Sequence, residues 1–317
     1  MLERTDLPFG PPWRGKVRDT YRLDDDRLLL VTTDRLSAFD RVLACLPHKG
    51  QVLNELSAWW FGELADVVPH HLLAVPDPNA AVARRCRPLP VEVVVRGYIT
   101  GVTTTSLWRQ YAEGGRELYG RRLPEGLRTN EALPAAMVTP TTKAQDGAHD
   151  EPVSPAEVVA RGLVDATLWD QVMSVAVELF RRGQERAATS GLILVDTKYE
   201  LGLDPLGGLT LIDEVHTPDS SRYWEASTYE ARLAAGEEPE SGDKELVRRW
   251  YVDAGFDGDG EPPPLPDEVV STVSGRYVAM YERLTGRAFR PAAEPAGPRI
   301  EAAVTAWLAD HPSPGAR

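Results

Sequence analysis

Cysteine is almost missing from this chain of 317 residues: only Cys45 and Cys86 are present. They show no metal-ligand spacing, and two thiols cannot build a disulfide framework of any size. A reducing cytoplasm suits such a chain. Long apolar runs are missing too, and no segment approaches the roughly 20 residues of a bilayer span. The sequence therefore predicts neither secretion nor membrane embedding. Positive charge is in short supply, with 35 Lys and Arg against 48 Asp and Glu for a net charge of −13. Nucleic-acid binding would call for a basic surface and is not expected, whereas a small phosphorylated ligand needs only a local basic cluster. No internal repeat or sustained heptad is found. What is there is 42% hydrophobic and 26% charged, ordinary for a globular protein, and long enough to suit two packed lobes.

The segment from Leu192 to Trp224 puts acids and bases where a sheet would place core residues. After Leu192-Ile193-Leu194-Val195, the residues Asp196, Lys198 and Glu200 occupy every second position. The chain then turns through Asp204-Pro205-Leu206-Gly207-Gly208 into Leu209-Thr210-Leu211-Ile212-Asp213-Glu214. This reads as a β-hairpin. Alternation puts Asp196, Lys198 and Glu200 on one face, and the register set by the turn brings Glu200 close to Asp213 or its neighbours. Two close carboxylates raise each other's pKa unless a cation lies between them, which points to a divalent metal, Mg²⁺ with phosphate as co-ligand. The alternative is an exposed salt-bridged ribbon with Lys198 neutralising its neighbours.

Elsewhere, Lys16 to Thr33 predicts another hairpin with an acidic Asp24-Asp25-Asp26 turn. A helix is expected from about Gln51 to Asp66, with Leu53, Leu56, Trp60 and Leu64 on one stripe. Val91 to Ile99 predicts a strand, and the Pro- and Arg-rich stretch Arg84 to Pro90 before it is the best place for a lobe boundary. Lobes of residues 1–88 and 89–317 result. A long amphipathic helix is expected over Asp165 to Ser190, closed by Gly191. Helices over Lys244–Ala254, Asp267–Leu284 and Arg299–Ala309 follow, with a frayed tail after His311. A strand-rich first lobe and a helix-rich second lobe carrying the acidic hairpin give an α+β protein with a cleft between lobes.

Some motifs are deceptive. Gly10 to Lys16 has the spacing of a P-loop, but Val17 stands where the Mg²⁺-binding hydroxyl belongs, two prolines remove amide donors, and no apolar strand precedes it. Lys16 still lies on a glycine turn that could cover phosphates. Asp257 to Gly260 lacks the ligands of a calcium loop. His70-His71 has no partner pair and reads as a helix end. The polar stretch Thr139 to Glu151 does not look like a core element; it is either a solvated loop or the surround of an anion. Arg96 near a strand end and Arg222 after Ser220-Ser221 can each grip phosphate or carboxylate with two prongs, or form a salt bridge within the fold.

The series Gly15-Lys16-Val17-Arg18-Asp19, Asp34 to Asp40, Lys49-Gly50-Gln51-Val52-Leu53, Val94 to Gly101, Thr141 to Glu151, Asp196-Thr197-Lys198-Tyr199-Glu200 and Asp213 to Trp224 resembles the SAICAR synthetase family. The resemblance runs in order from about Gly15 to Trp250, with Asp243-Lys244 and Arg248 as its last piece. It implies an ATP-dependent ligase of de novo purine synthesis that joins L-aspartate to the carboxylate of carboxyaminoimidazole ribotide and releases ADP and phosphate. The implied fold is two-lobed and ATP-grasp-like, an antiparallel β N-terminal lobe and a larger mixed lobe with ATP in the cleft. By resemblance Lys16 and Arg18 face the ATP phosphates, the backbone near Arg87 to Leu89 meets adenine, and Glu200 with Asp213 holds Mg²⁺. Arg96 and Arg222 bind the nucleotide substrate, with Ser220 and Ser221 beside them. Asp150, Asp196 and Lys198 line the reacting carboxylate, while Lys143, Lys244 and Arg248 meet anionic groups of aspartate or the nucleotide. The base that deprotonates the amine is Asp196 or Asp150 on this reading.

Val102, Gln145, Ala148 and His216 depart from the family pattern. They leave open a same-fold ligase acting on another heterocyclic carboxylate. A non-catalytic nucleotide-binding relative is the remaining alternative.

Overall fold

The computed structural model describes residues 1–39, 41–101, 106–143, 151–242, 245–256 and 258–312. The chain opens with β1 (Trp13–Arg14), β2 (Arg18–Arg22), β3 (Arg27–Thr32), β4 (Arg35–Ala38) and β5 (Arg41–Cys45). Helix α1 (Lys49–Glu63), β6 (Leu72–Asp77), β7 (Ala80–Arg84) and β8 (Arg87–Ile99) follow. Next come α2 (Leu107–Ala112), β9 (Glu117–Leu118), β10 (Arg121–Arg122) and β11 (Glu131–Thr142), then α3 (Pro155–Ala160) and α4 (Ala166–Thr189). The acidic hairpin is β12 (Leu192–Leu203) and β13 (Leu209–Ile212), and β14 (Ser221–Glu225) leads into α5 (Ala226–Ala235), α6 (Glu245–Asp253), α7 (Asp267–Thr285) and α8 (Ala296–Asp310).

The strands form two main antiparallel sheets, which makes the fold α+β as the sequence predicts. The first has the order β1-β2-β3-β7-β6. Its β2–β3 hairpin is set by Asp24, whose side chain accepts the backbone N–H of Asp26 at 3.0 Å and of Arg27 at 2.8 Å. The second has the order β11-β8-β12-β13, with β14 also paired to β12. Asp165 caps α4 by accepting the N–H groups of Thr167 and Leu168, and Gly191, at φ 70, follows its end. The buried stripe Trp169, Val172, Ala176, Phe180, Gly183 and Ala187 covers one face of the second sheet. There it meets Val91, Val93, Val95, Tyr199 and Leu201 in the main core. Gly183 is required by close approach, since a side chain there would collide with the His216 ring and Leu194.

Three expectations change. His70-His71 is no helix end: α1 stops at Glu63, His70 forms a β-bridge with Leu211, and the pair leads into β6. Thr139 to Thr142 is the end of strand β11, with Thr139 only 1% exposed, because strand hydrogen bonds to β8 satisfy a backbone that its polar side chains seemed to condemn to a loop. Arg87 to Pro90 already belongs to β8, which leaves only Arg85-Cys86 between the two sheets. The C-terminal helix also returns to the first sheet, where Ala296, Ile300 and Val304 of α8 pack with Tyr21, Leu29 and Val31. Among the described residues, no helix is long and apolar enough to cross a membrane.

Candidate active site

The face of the second sheet turned away from α4 is polar, and register explains it. Asp196, Lys198 and Glu200 of β12 lie directly opposite Arg96, Val94 and Glu92 of β8. On the next strand Thr139 and Thr141 face Val94 and Glu92, and on β12's far side Arg222 of β14 faces Asp196. A period of two on each strand thus gathers charged side chains from three strands into one floor.

At one end of this floor lies a cleft of about 1030 Å³ between the sheets, lined among others by Lys16, Arg18, Lys143, Lys198, Glu200 and Asp213. Lys198 Nζ donates to Glu92 at 2.7 Å and to Glu200 at 3.0 Å. Glu200 is also paired with Lys143, and Asp213 with Arg18. Burial works against the Glu200 carboxylate, but the Lys198 and Lys143 cations outweigh it and hold its pKa well below the carboxylate range. Burial likewise opposes the Lys198 ammonium, and Glu200 with Glu92 outweighs it, so this lysine stays charged. Arg18 reaches a second acid, Glu214, at 3.1 Å. The Lys198 contact anticipated for a salt-bridged ribbon is therefore made, but half-buried inside a cleft.

At the other end a cavity of about 390 Å³ is lined by Arg96, Arg222, Arg248 and Arg249, with Thr100 and Asn130 beside them. Asp196 lies between two of these arginines, 3.2 Å from Arg96 and 3.7 Å from Arg222. Arg96 is further held by Thr139 Oγ1 at 3.0 Å. The strand floor thus carries a cleft of mixed charge, with Lys16, Arg18, Lys143 and Lys198 set against Glu92, Glu200, Asp213, Glu214 and Asp219, and a second, arginine-rich cavity.

The residues singled out in the sequence divide between these cavities. Lys16, Arg18, Lys143, Lys198, Glu200, Asp213 and Ser220 line the cleft, and Arg96, Arg222 and Arg248 line the second cavity. Asp196, 8% exposed, is held by the arginine pair. Arg222 accordingly has an ion-pair partner within the fold, which its local sequence did not suggest, because that partner comes from a strand paired across the sheet. Ser221 lines neither cavity; its hydroxyl is 2.7 Å from that of Thr197 on the core side. Arg87 is exposed and Leu89 lies in the main core, while Cys86 and Pro88 of that stretch line the cleft. Asp150 and Lys244 lie outside the described residues, as do Val102, Gln145 and Ala148.

Several participants escaped sequence reasoning. Glu92 had a signal, since Glu92 and Arg96 are the only charges in the apolar run from Val91 to Ile99 and share a face. Lys49 is fully buried, with Nζ 2.6 Å from Asp219, whose other oxygen accepts from Tyr277 at 2.7 Å. Nothing local connects three residues so far apart in the chain. His71, 6% exposed, has its ring against the Asp213 backbone.

The family model described as SAICAR synthetase matches residues 12–263. The phosphoribosylaminoimidazole-succinocarboxamide synthase of Legionella pneumophila (strain Paris) is 51% identical over 311 residues, covering 97% of this chain and 98% of that protein. A chloroplastic phosphoribosylaminoimidazole-succinocarboxamide synthase of Arabidopsis thaliana is 48% identical over 290 residues, 90% of this chain and 70% of that protein. The SAICAR synthase of Saccharomyces cerevisiae, solved in complex with SAICAR, superposes with a TM-score of 0.80 at 33% identity, covering 92% of this chain and 100% of that one. Matched by the family model over most of its length, and by relatives of this identity along nearly all of it, the chain belongs to the SAICAR synthetase family.

Proposed function

We propose that this protein is the ATP-dependent ligase that joins L-aspartate to the carboxylate of carboxyaminoimidazole ribotide, giving SAICAR, ADP and phosphate in purine biosynthesis. The observation that carries this reading is the polar floor from Glu200 to Arg96, which runs from a cleft lined by both acids and bases to an arginine-rich cavity. A carboxylate cannot expel oxide at neutral pH, so it must first be activated. Attack of a carboxylate oxygen on the γ-phosphorus of ATP releases ADP and makes an acyl phosphate. The aspartate amine then attacks the acyl carbon, the C–O bond breaks, and phosphate leaves with that oxygen while the amine proton passes to a base, Asp196 or Asp150 in this reading.

In this reading Lys16 and Arg18 bind the ATP phosphates, and the backbone around Arg87 to Leu89 receives adenine. Lys143 and Lys198 draw the reacting carboxylate and the γ-phosphoryl group together and balance the charge that develops between them. Arg96, Arg222 and Arg248 hold the nucleotide substrate in the second cavity, with its phosphate on the Arg96–Arg222 pair. Asp196 organises that pair. Ser220 lies beside the substrate with Ser221 behind it, and by resemblance alone Asp150 acts at the reacting carboxylate and Lys244 on an anionic group of aspartate or the nucleotide. ATP would lie between the first sheet, within residues 1–88, and the second, mostly within residues 89–317, while α1 and α8 cross that boundary to pack on the opposite sheet.

Glu200 and Asp213 suit Mg²⁺, a hard ion that takes one or two carboxylates and fills its shell from phosphates and water. Among the described residues no cluster of three or more His, Cys, Asp or Glu could hold a metal, consistent with an ion that needs phosphate oxygens. When bound there, Mg²⁺ would neutralise phosphate charge and orient the β- and γ-phosphates. Two free thiols, both with pKa raised by burial, suit a cytoplasmic enzyme.

The test is an assay of the purified protein with ATP, Mg²⁺ and carboxyaminoimidazole ribotide, with and without L-aspartate, read by mass spectrometry. A succinocarboxamide forms only with aspartate present, with stoichiometric ADP. Turnover with a different heterocyclic acid and not with this one would transfer the reading to another acceptor. ATP binding without turnover on any acid would leave a binder.

A further inference from the structure

We propose that His71 is a positioning residue: its imidazole fixes the Asp213 backbone and so aims the Asp213 carboxylate at the nucleotide phosphates and their Mg²⁺. Asp213 has φ 63, in the left-handed region that a residue with a side chain seldom adopts and that persists when its surroundings impose it. His71 Nε2 lies 3.2 Å from the Asp213 carbonyl oxygen. A carbonyl only accepts, so Nε2 carries the proton.

The donor is itself immobilised. The Leu211 N–H donates to the Pro69 carbonyl at 2.8 Å, the His71 N–H to the Leu211 carbonyl at 3.0 Å, and the Arg84 N–H to the His71 carbonyl at 2.7 Å. Phe61 lies against the ring, with centroids 5.5 Å apart. His71 and Asp213 both line the cleft, and the carboxylate so aimed meets Arg18. Without the imidazole donor, the backbone at Asp213 is free to relax toward an ordinary conformation and swing its carboxylate off the phosphate site. Buried histidines more often only fill space. This one donates to the carbonyl of Asp213, whose side chain lines the cleft.

The inference rests on the Asp213–Mg²⁺ reading, and calorimetry of ATP binding with and without Mg²⁺ tests it independently of the acceptor. His71→Leu is expected to weaken Mg²⁺-dependent ATP binding by about tenfold, the lower end of what residues supporting metal ligands contribute. Binding without Mg²⁺ is expected to be unchanged. His71→Gln, whose amide N–H can reach the same carbonyl, is expected to restore most of the loss. Should His71→Leu fail to fold, His71→Asn, too short to reach, takes its place. Unchanged Mg²⁺-dependent binding in the Leu or Asn variant, or equal losses in it and in His71→Gln, would overturn the proposal. If the unsubstituted protein binds ATP indifferently to Mg²⁺, the metal reading falls and this inference with it, while the ligase assay stands on its own result.

Discussion

Asp196 lies between Arg96 and Arg222, and that arrangement changes what each residue is expected to do. Its carboxylate lies 3.2 Å from Arg96 and 3.7 Å from Arg222. In the proposed function its part is to set the arginine forks for the substrate phosphate. Arg222→Lys keeps charge near Asp196 but loses the fork, so it should weaken nucleotide-substrate binding by about 1.5–3 kcal/mol, roughly ten- to a hundredfold in KM. The KM for ATP should barely move, and steady-state kinetics with each substrate varied in turn checks this. Equal changes in both constants would remove Arg222 from the substrate site. All three residues stood out in the sequence, but their contact did not. Alternation gives the face of a side chain within its own strand, whereas meeting across the sheet depends on a register that separate strands do not encode locally.

The β12–β13 hairpin was the most readable element, because its turn and its alternation agree. The sequence put Glu200 near Asp213 or its neighbours, and Glu200 indeed pairs with Ile212, one residue away. Helix α1 was legible in its apolar stripe but not in its start, where Lys49 occupies the first turn. A cation there opposes the helix dipole, and a fully buried one needs a counter-charge that only the folded chain provides. Asp219 supplies it and thereby ties α1 and Tyr277 of α7 to the turn that carries Ser220 into the cleft. Lys49→Met should cost about 3–5 kcal/mol of stability by removing the buried counter-charge of Asp219, which keeps only its other contacts, that with Tyr277 among them. Denaturant unfolding checks the loss, which a change under about 1 kcal/mol would contradict.

The molecule as a whole follows from two antiparallel sheets meeting at a charged cleft. Composition and element order supported an α+β fold with a cleft. They did not foresee that α8 returns to the first sheet or that α1 joins the main core, since such docking depends on shape complementarity rather than on local pattern. The central claim is that one chain brings a carboxylate and ATP together so that the carboxylate oxygen leaves with phosphate. The most direct measurement uses carboxyaminoimidazole ribotide labelled with ¹⁸O in its carboxylate, together with ATP, Mg²⁺ and L-aspartate, and mass spectrometry of the released phosphate. Activation through an acyl phosphate predicts one labelled oxygen in the phosphate for each amide formed. Amide formation with unlabelled phosphate would contradict the account.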